Sequence, residues 1–206
     1  MSSPTKYSAL LPLMEHFYTV QGEGFHQGKA SYFIRLGGCD IGCVWCDVKD
    51  SWDASKFTAI AVEEIVNHVV QSGAKICVVT GGEPMMHDLL PLTNALHANG
   101  IKAHVETSGA YEISGNWDWI CVSPKRFKLP AESSLLKASE LKVVVFHKND
   151  FRLAEEYQIK VTASCKLFLQ PEWSKEKEML PLMIDYVKAN QQWEISLQIH
   201  KYMDIP

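Results

Sequence analysis

From residue 58 onward, segments with helix periodicity alternate with short apolar runs, and this constrains the fold more than any other feature. Val62, Ile65, Val66, Val69 and Val70 follow the i, i+3, i+4, i+7, i+8 rule, and Gly73 stops that helix. Residues 75–80, KICVVT, read as a buried strand, short and rich in β-branched residues. A second helix is predicted over 88–99, closing at Asn99-Gly100, with a strand at 101–106. Further strands are predicted at 118–123, 140–146, 165–170 and 194–199, and helices at 131–138, 149–157 and 174–190. Strands separated by helices imply right-handed crossovers and a mostly parallel sheet, an α/β architecture. About six strands after an N-terminal hairpin region are too few for an eight-fold barrel. An incomplete, splayed partial barrel is the expectation.

Bulk properties restrict the function. No linker, charge block or repeat interrupts the 206 residues, so one domain spanning 1–206 is expected. A formal net charge of −4 argues against a protein that grips nucleic-acid phosphates. No apolar stretch approaches the roughly 20 residues needed to span a bilayer. The opening MSSPTKYSALLPLMEHF has only a short apolar run broken by Pro12, so no signal peptide is expected there. A cytoplasmic protein with no nucleic-acid or membrane partner is the expectation.

The residues that follow each strand carry more information. After KICVVT comes Gly81-Gly82-Glu83-Pro84, and after IKAHV comes Glu106-Thr107-Ser108-Gly109. After DWICV comes Ser123-Pro124-Lys125, and after KLFL comes Gln170-Pro171. The last predicted strand alternates Ile195, Leu197 and Ile199 against Ser196 and Gln198, and ends at His200-Lys201-Tyr202. In a parallel sheet these C-terminal ends share one rim, where loops build ligand sites. Taken singly each is as readily a turn as a site. A Glu beside Gly-Gly, though, can accept from an ammonium group while bare backbone approaches a ligand.

Three of the six cysteines crowd into Cys39-Asp-Ile-Gly-Cys43-Val-Trp-Cys46, after the apolar stretch Tyr32-Phe33-Ile34. Cys77, Cys121 and Cys165 sit alone in apolar runs and read as small buried hydrophobes. Three soft thiolates on one short loop suit an iron–sulfur cluster or zinc. A closed zinc site wants a fourth ligand, and no second cysteine pair exists to supply it. Three ligands on a four-iron cubane leave one iron open. The spacing Cys-x3-Cys-x-aromatic-Cys, with Trp45 at the aromatic position, resembles the signature of radical S-adenosylmethionine (SAM) enzymes. The resemblance implies that the open iron chelates SAM and that Gly-Gly-Glu binds its amino end.

Ahead of the cluster strand lies Tyr18-Thr-Val-Gln-Gly-Glu-Gly24, either a polar turn or a recognition segment. Gln21 offers a donor and an acceptor, and Glu23 accepts two N–H groups side by side, which suits an aminopyrimidine ring. Arg35 is either a surface salt-bridge partner or a bidentate clamp for a substrate carboxylate.

The set VQGEG, FIRLGGCDIGCVWCD, VVTGGEP, ETSG, VSPK, LQP and QIHKYMDIP resembles the 7-carboxy-7-deazaguanine synthase family, from about residue 14 to the C-terminus. That resemblance implies a reduced and modified radical SAM barrel, usually a homodimer. The implied activity is that of a carbon–nitrogen lyase in queuosine and 7-deazapurine biosynthesis. It contracts the ring of 6-carboxy-5,6,7,8-tetrahydropterin to 7-carboxy-7-deazaguanine and releases ammonia. A 5′-deoxyadenosyl radical would take hydrogen from substrate C6 and later return it, so that SAM acts as a cofactor. The protein positions the reactants and excludes water, because the hard chemistry belongs to the cofactors. An electron donor such as flavodoxin or ferredoxin is implied.

Carried over residue by residue, Cys39, Cys43 and Cys46 would hold a [4Fe–4S] cluster. Gly82, Glu83, Ser108, Gly109, Ser123, Pro124, Lys125 and Gln170 would line the SAM site. Val20, Gln21, Gly22, Glu23, Arg35 and Thr107 would hold the pterin, with the carboxylate of Pro206 at its amino edge. One position departs from the pattern. The family commonly places a Mg²⁺-ligating Thr two residues after the third cysteine, where this chain has Val48, following Asp47. A valine side chain offers a hard cation no oxygen, so either Asp47, Asp50 or Ser51 substitutes or the metal is held by substrate, backbone and water, and a weaker or altered Mg²⁺ dependence is expected. Two rival readings are a small radical SAM enzyme that acts on a protein and a non-catalytic zinc knuckle.

Overall fold

The computed structural model describes residues 9–206; residues 1–8 of the opening stretch lie outside the described residues. The strands are β1 (Leu10–Val20), β2 (Ala30–Leu36), β3 (Ala59–Ala61), β4 (Ile76–Gly81), β5 (Lys102–Thr107), β6 (Trp119–Val122), β7 (Glu140–Val145), β8 (Lys166–Pro171) and β9 (Trp193–Ile195). The helices are α1 (Val62–Ser72), α2 (Leu90–Ala98), α3 (Glu132–Leu136), α4 (Asn149–Gln158), α5 (Glu176–Ala189) and α6 (Ile199–Met203). Nine strands form one sheet in the order β3-β1-β2-β4-β5-β6-β7-β8-β9. From β2 to β9 every neighbouring pair is parallel, while β1 runs antiparallel to both β2 and β3. The sheet stays open. Both edges, β3 and β9, are only three residues long, which limits the unpaired backbone they present.

Local chemistry explains the helix ends. Glu63 and Glu64 lie in the first turn of α1, where the helix dipole favours negative charge. Gly73 ends it in the left-handed region at φ 75°, donating its N–H to the Val70 carbonyl. Val62, Ile65, Val66 and Val69 are buried as the periodicity predicts, but Val70 faces outward.

The two faces of the sheet have opposite chemistry. Ile34, Leu36, Cys77, Val79, Ala103, Val105, Val122, Leu141, Val143 and Leu169 join Leu92, Leu96, Met179 and Met183 of the helices in one apolar core. Side chains alternate along a strand. Arg35, Thr80, Glu106, Lys142 and Gln170, offset by one residue from those apolar positions, line a cavity. Leu141 is wholly buried, so Leu141→Ala is expected to cost about 3 kcal/mol, read as a lower urea midpoint at unchanged slope.

The strand expected over 194–199 is corrected. Pairing with β8 stops at Ile195, and Ile199–Met203 is helical. The polar residues of that stretch find partners in the loop after β1 instead. Ser196 Oγ accepts from Gly24 N–H at 2.8 Å and donates to Gln170 at 2.8 Å. Gln198 donates to Glu23 at 3.0 Å, and the Ile199 N–H donates to the Gly22 carbonyl at 3.0 Å. Side chain–loop bonding thus overrides the alternation of Ile195, Leu197 and Ile199. Among the described residues no helix is long and apolar enough to cross a membrane.

Candidate functional site

A cavity of about 300 Å³ opens at the C-terminal ends of the parallel strands. Its wall includes Cys39, Cys43 and Cys46 from the loop after β2, Gly82 and Glu83 after β4, and Ser108 after β5. Ser123 and Lys125 after β6, Gln170 in β8, and Val20, Gln21, Gly22, Glu23, Arg35, Thr107 and Pro206 also lie there. Two of the SAM-site residues read from sequence are not in this wall. Gly109 instead donates to Thr107 Oγ1 at 3.0 Å and packs its backbone against Val122, while Pro124 is buried behind the rim.

The cysteine loop is tied down before any metal is considered. The Gly38 N–H reaches the Ser51 carbonyl at 2.6 Å and the Cys39 N–H reaches that of Trp52 at 3.1 Å. The Gly-Gly-Glu segment then docks on the loop's entrance, with Glu83 N–H donating to Gly38 O at 2.8 Å. Only glycine fits at 82, because a Cβ there would run into the Gly38 carbonyl and lie 2.9 Å from Cys39 Cβ. All three thiols are free, as are Cys77, Cys121 and Cys165, which are buried as expected. Burial pushes Cys43 up to about 11, opposed by the Lys125 ammonium. Burial of Lys125 in turn lowers its own proton affinity, and its amine lies 5.3 Å from the Trp45 ring centroid.

These three thiols fit an iron–sulfur cluster. They are unpaired soft donors on one wall, with a glycine cradle pressed against the loop that carries them. Among the described residues no three His, Cys, Asp or Glu side chains converge on a point suited to a single metal ion. A cubane asks for a wider triangle, since each thiolate binds a different iron.

Glu83 lines the cavity and also carries a structural role. It is 1% exposed, and its Oε1 accepts from Thr107 Oγ1 at 2.5 Å and Met85 N–H at 3.0 Å. Its Oε2 accepts from the Ser108 N–H at 2.8 Å and from the Ser108 hydroxyl. A carboxylate has about four lone-pair positions, so none remains for an ammonium group. Glu83 is a bracket joining the ends of β4 and β5.

The other end of the cavity is built from charge. Lys142, with 4% of its side chain exposed, bonds Glu23 at 2.5 Å and Glu106 at 2.9 Å. Gln21 donates to Glu106 Oε1 at 3.3 Å and accepts from the Glu23 N–H at 3.1 Å. Burial alone would raise the Glu23 carboxyl, but Lys142, Gln198 and His200 together hold it down at about 2. It is therefore an anion throughout the neutral range. Arg35 lines the cavity and also pairs with Glu15 through Nε at 2.6 Å, which leaves its two terminal nitrogens. The salt-bridge reading of Arg35 is observed, and its position in the cavity wall keeps it available to a ligand. Of the substitutes for the missing threonine oxygen, Asp47 and Ser51 line the cavity and Asp50 does not. Ser51 already donates its hydroxyl to the Val48 carbonyl at 2.7 Å, and Asp47 lies 3.5 Å from Lys201 Nζ.

Thr80 and Lys142 line the cavity without having been expected there, and Glu106, Gln198 and His200, expected only as strand-end residues of the rim, line it too. The signal for one of them was present. Lys142 stands two residues after Glu140 in the run ELKVVV, where period-2 alternation places both charges on one face.

An open parallel sheet with three thiols and a glycine cradle at its strand ends defines a radical SAM protein. The model of the radical SAM superfamily matches residues 33–118. The chain belongs to the 7-carboxy-7-deazaguanine synthase family. It is 53% identical to the 7-carboxy-7-deazaguanine synthase of Flavobacterium psychrophilum, over 96% of this chain and 93% of that protein. It is 43% identical to the synthase of Synechocystis sp., over 94% and 93%. The crystal structure of QueE from Escherichia coli superposes with a TM-score of 0.84 at 32% identity, covering 96% of this chain and 99% of that one.

Proposed function

We propose that this chain contracts the ring of 6-carboxy-5,6,7,8-tetrahydropterin to 7-carboxy-7-deazaguanine with release of ammonia, in queuosine or 7-deazapurine biosynthesis. The observation that carries this reading is that one cavity brings the three thiols together with Gln21, Glu23 and Arg35. Residues 1–206 act as one radical SAM domain, cytoplasmic and homodimeric, fed by a flavodoxin- or ferredoxin-like donor. Cys39, Cys43 and Cys46 would hold a [4Fe–4S] cluster, which with SAM supplies a carbon radical able to abstract hydrogen from an unactivated position. Gly82, Ser108, Ser123, Lys125 and Gln170 line the SAM end.

The protein's own contribution is placement. Glu23 and Glu106 are held as acceptors for the ring N–H groups, with Gln21 beside them. The terminal nitrogens of Arg35 take the substrate carboxylate, while Glu15 fixes the plane of the guanidinium. Thr107 supports the site indirectly by donating to Glu83. The segment carrying Gln198, His200, Lys201 and Pro206 closes the cavity over this end and limits water.

Anaerobic incubation of reconstituted protein with reductant, SAM and the carboxytetrahydropterin is expected to give a product lighter by the elements of ammonia. Unchanged substrate with normal SAM binding would overturn the proposal. Because Val48 lacks an oxygen donor, Mg²⁺ is held here by Asp47, Ser51, substrate and water. A Mg²⁺ titration is expected to show a weaker requirement than in a Val48→Thr variant; an identical, strict requirement in both would overturn this.

A further inference from the structure

We propose that Lys142 is a specificity-determining residue, whose ammonium locks Glu23 and Glu106 into one edge of two acceptors and one donor that selects an aminopyrimidinone ring. The proposal deepens the function above and rests on that reading of the cavity. The geometry is nearly symmetric. Glu23 gives one oxygen to Lys142 and the other to Gln198. Glu106 gives one oxygen to Lys142 and the other to Gln21. Both oxygens of Glu23 therefore keep a lone pair, and Glu106, which the Cys121 thiol also bonds, keeps at least one. An ammonium has three N–H donors, and two are used, so Lys142 has one left in a wall that lines the cavity. Two anions and one cation leave the edge with a net negative charge. A ring edge that presents an amino group, a ring N–H and a carbonyl satisfies all three groups. A ring with oxygen in place of the amino group would turn an acceptor toward a carboxylate.

Lys142 is what makes this choice possible. Without it, two half-buried carboxylates that both reach one ammonium position lose their shared counter-charge, which raises the cost of keeping both ionised. One would protonate, become a donor, and accommodate the wrong ring. The charged and titratable groups that act on Glu23 are Lys142 from β7, Lys125 after β6 and His200 of α6, while Glu106 shares the Lys142 ammonium with it. Only Lys142 makes an ion pair with both Glu23 and Glu106.

The test uses unreactive oxidised rings, 6-carboxypterin and its 2-oxo counterpart 6-carboxylumazine, with binding followed by fluorescence between pH 5 and 8. The unaltered protein is expected to prefer the pterin by at least ~100-fold, with little pH dependence. Lys142→Met is expected to bind the pterin about 30-fold more weakly and to lose affinity further as pH falls. Its preference should shrink below about tenfold, and Lys142→Arg should recover much of it. Should Lys142→Met fail to fold, the double variant Glu106→Gln/Lys142→Met removes the like-charge pair and is expected to show the same lost preference. Failure of the unaltered protein to bind either ring would overturn the functional reading, and this proposal with it. A preference and pH profile unchanged in the folded variants would overturn the role of Lys142 alone.

Discussion

Gly82→Ala is expected to lower turnover by at least about 100-fold while leaving the chain folded. The added methyl would strike the Gly38 carbonyl, and it would meet Cys39 Cβ at 2.9 Å. Backbone cannot swing aside as a flexible side chain does. Either the hydrogen bond from Glu83 N–H to Gly38 O at 2.8 Å lengthens, or the loop carrying Cys39 shifts. Displacement of a reactive group by about 1 Å is enough for a loss of this size. Iron bound per chain after anaerobic reconstitution should fall together with activity, whereas far-ultraviolet circular dichroism should not change. Full iron content with normal turnover would show that the cradle tolerates a side chain.

Glu83→Gln is expected to destabilise the fold by about 3 kcal/mol, a large loss for a substitution that barely changes shape. The carboxylate accepts from Thr107, Met85 and twice from Ser108. An amide offers only one oxygen and turns its NH₂ toward two donors, leaving buried N–H or O–H groups without partners. The penalty falls at the junction of β4 and β5, directly under the cysteine loop. Thermal unfolding should drop by about 6–12 °C for a chain of this size. A melting temperature within a degree of the unaltered protein would mean that Glu83 is not the bracket described here.

The parallel strands were legible because burial on both faces gives dense β-branched runs such as KICVVT, and because Gly73 and Asn99-Gly100 mark the helix ends. The cysteine loop and the GGEP turn were legible because their chemistry is local in sequence. The charged floor was harder to see. Glu106 and Lys142 lie inside strands, 36 residues apart, and only the pairing of β5 with β6 and of β6 with β7 brings them to 2.9 Å. The bonding of Glu83 was hidden for the same reason, since its four donors come from Met85, Thr107 and Ser108, and two of those residues belong to another strand end. The last strand was overextended because Leu197 and Ile199 keep the alternation after the backbone has turned to meet Gly22 and Gly24.

In the proposed function, one cavity holds the cluster end and the pterin end side by side. Electron paramagnetic resonance of the reduced, reconstituted protein tests it most directly. SAM alone should change the cluster spectrum, and 6-carboxypterin added afterwards should change it again. Glu23→Ala and Arg35→Ala should keep the first change and lose the second at the same ring concentration. A second change that persists in both variants, or that never occurs in the unaltered protein, would contradict the account.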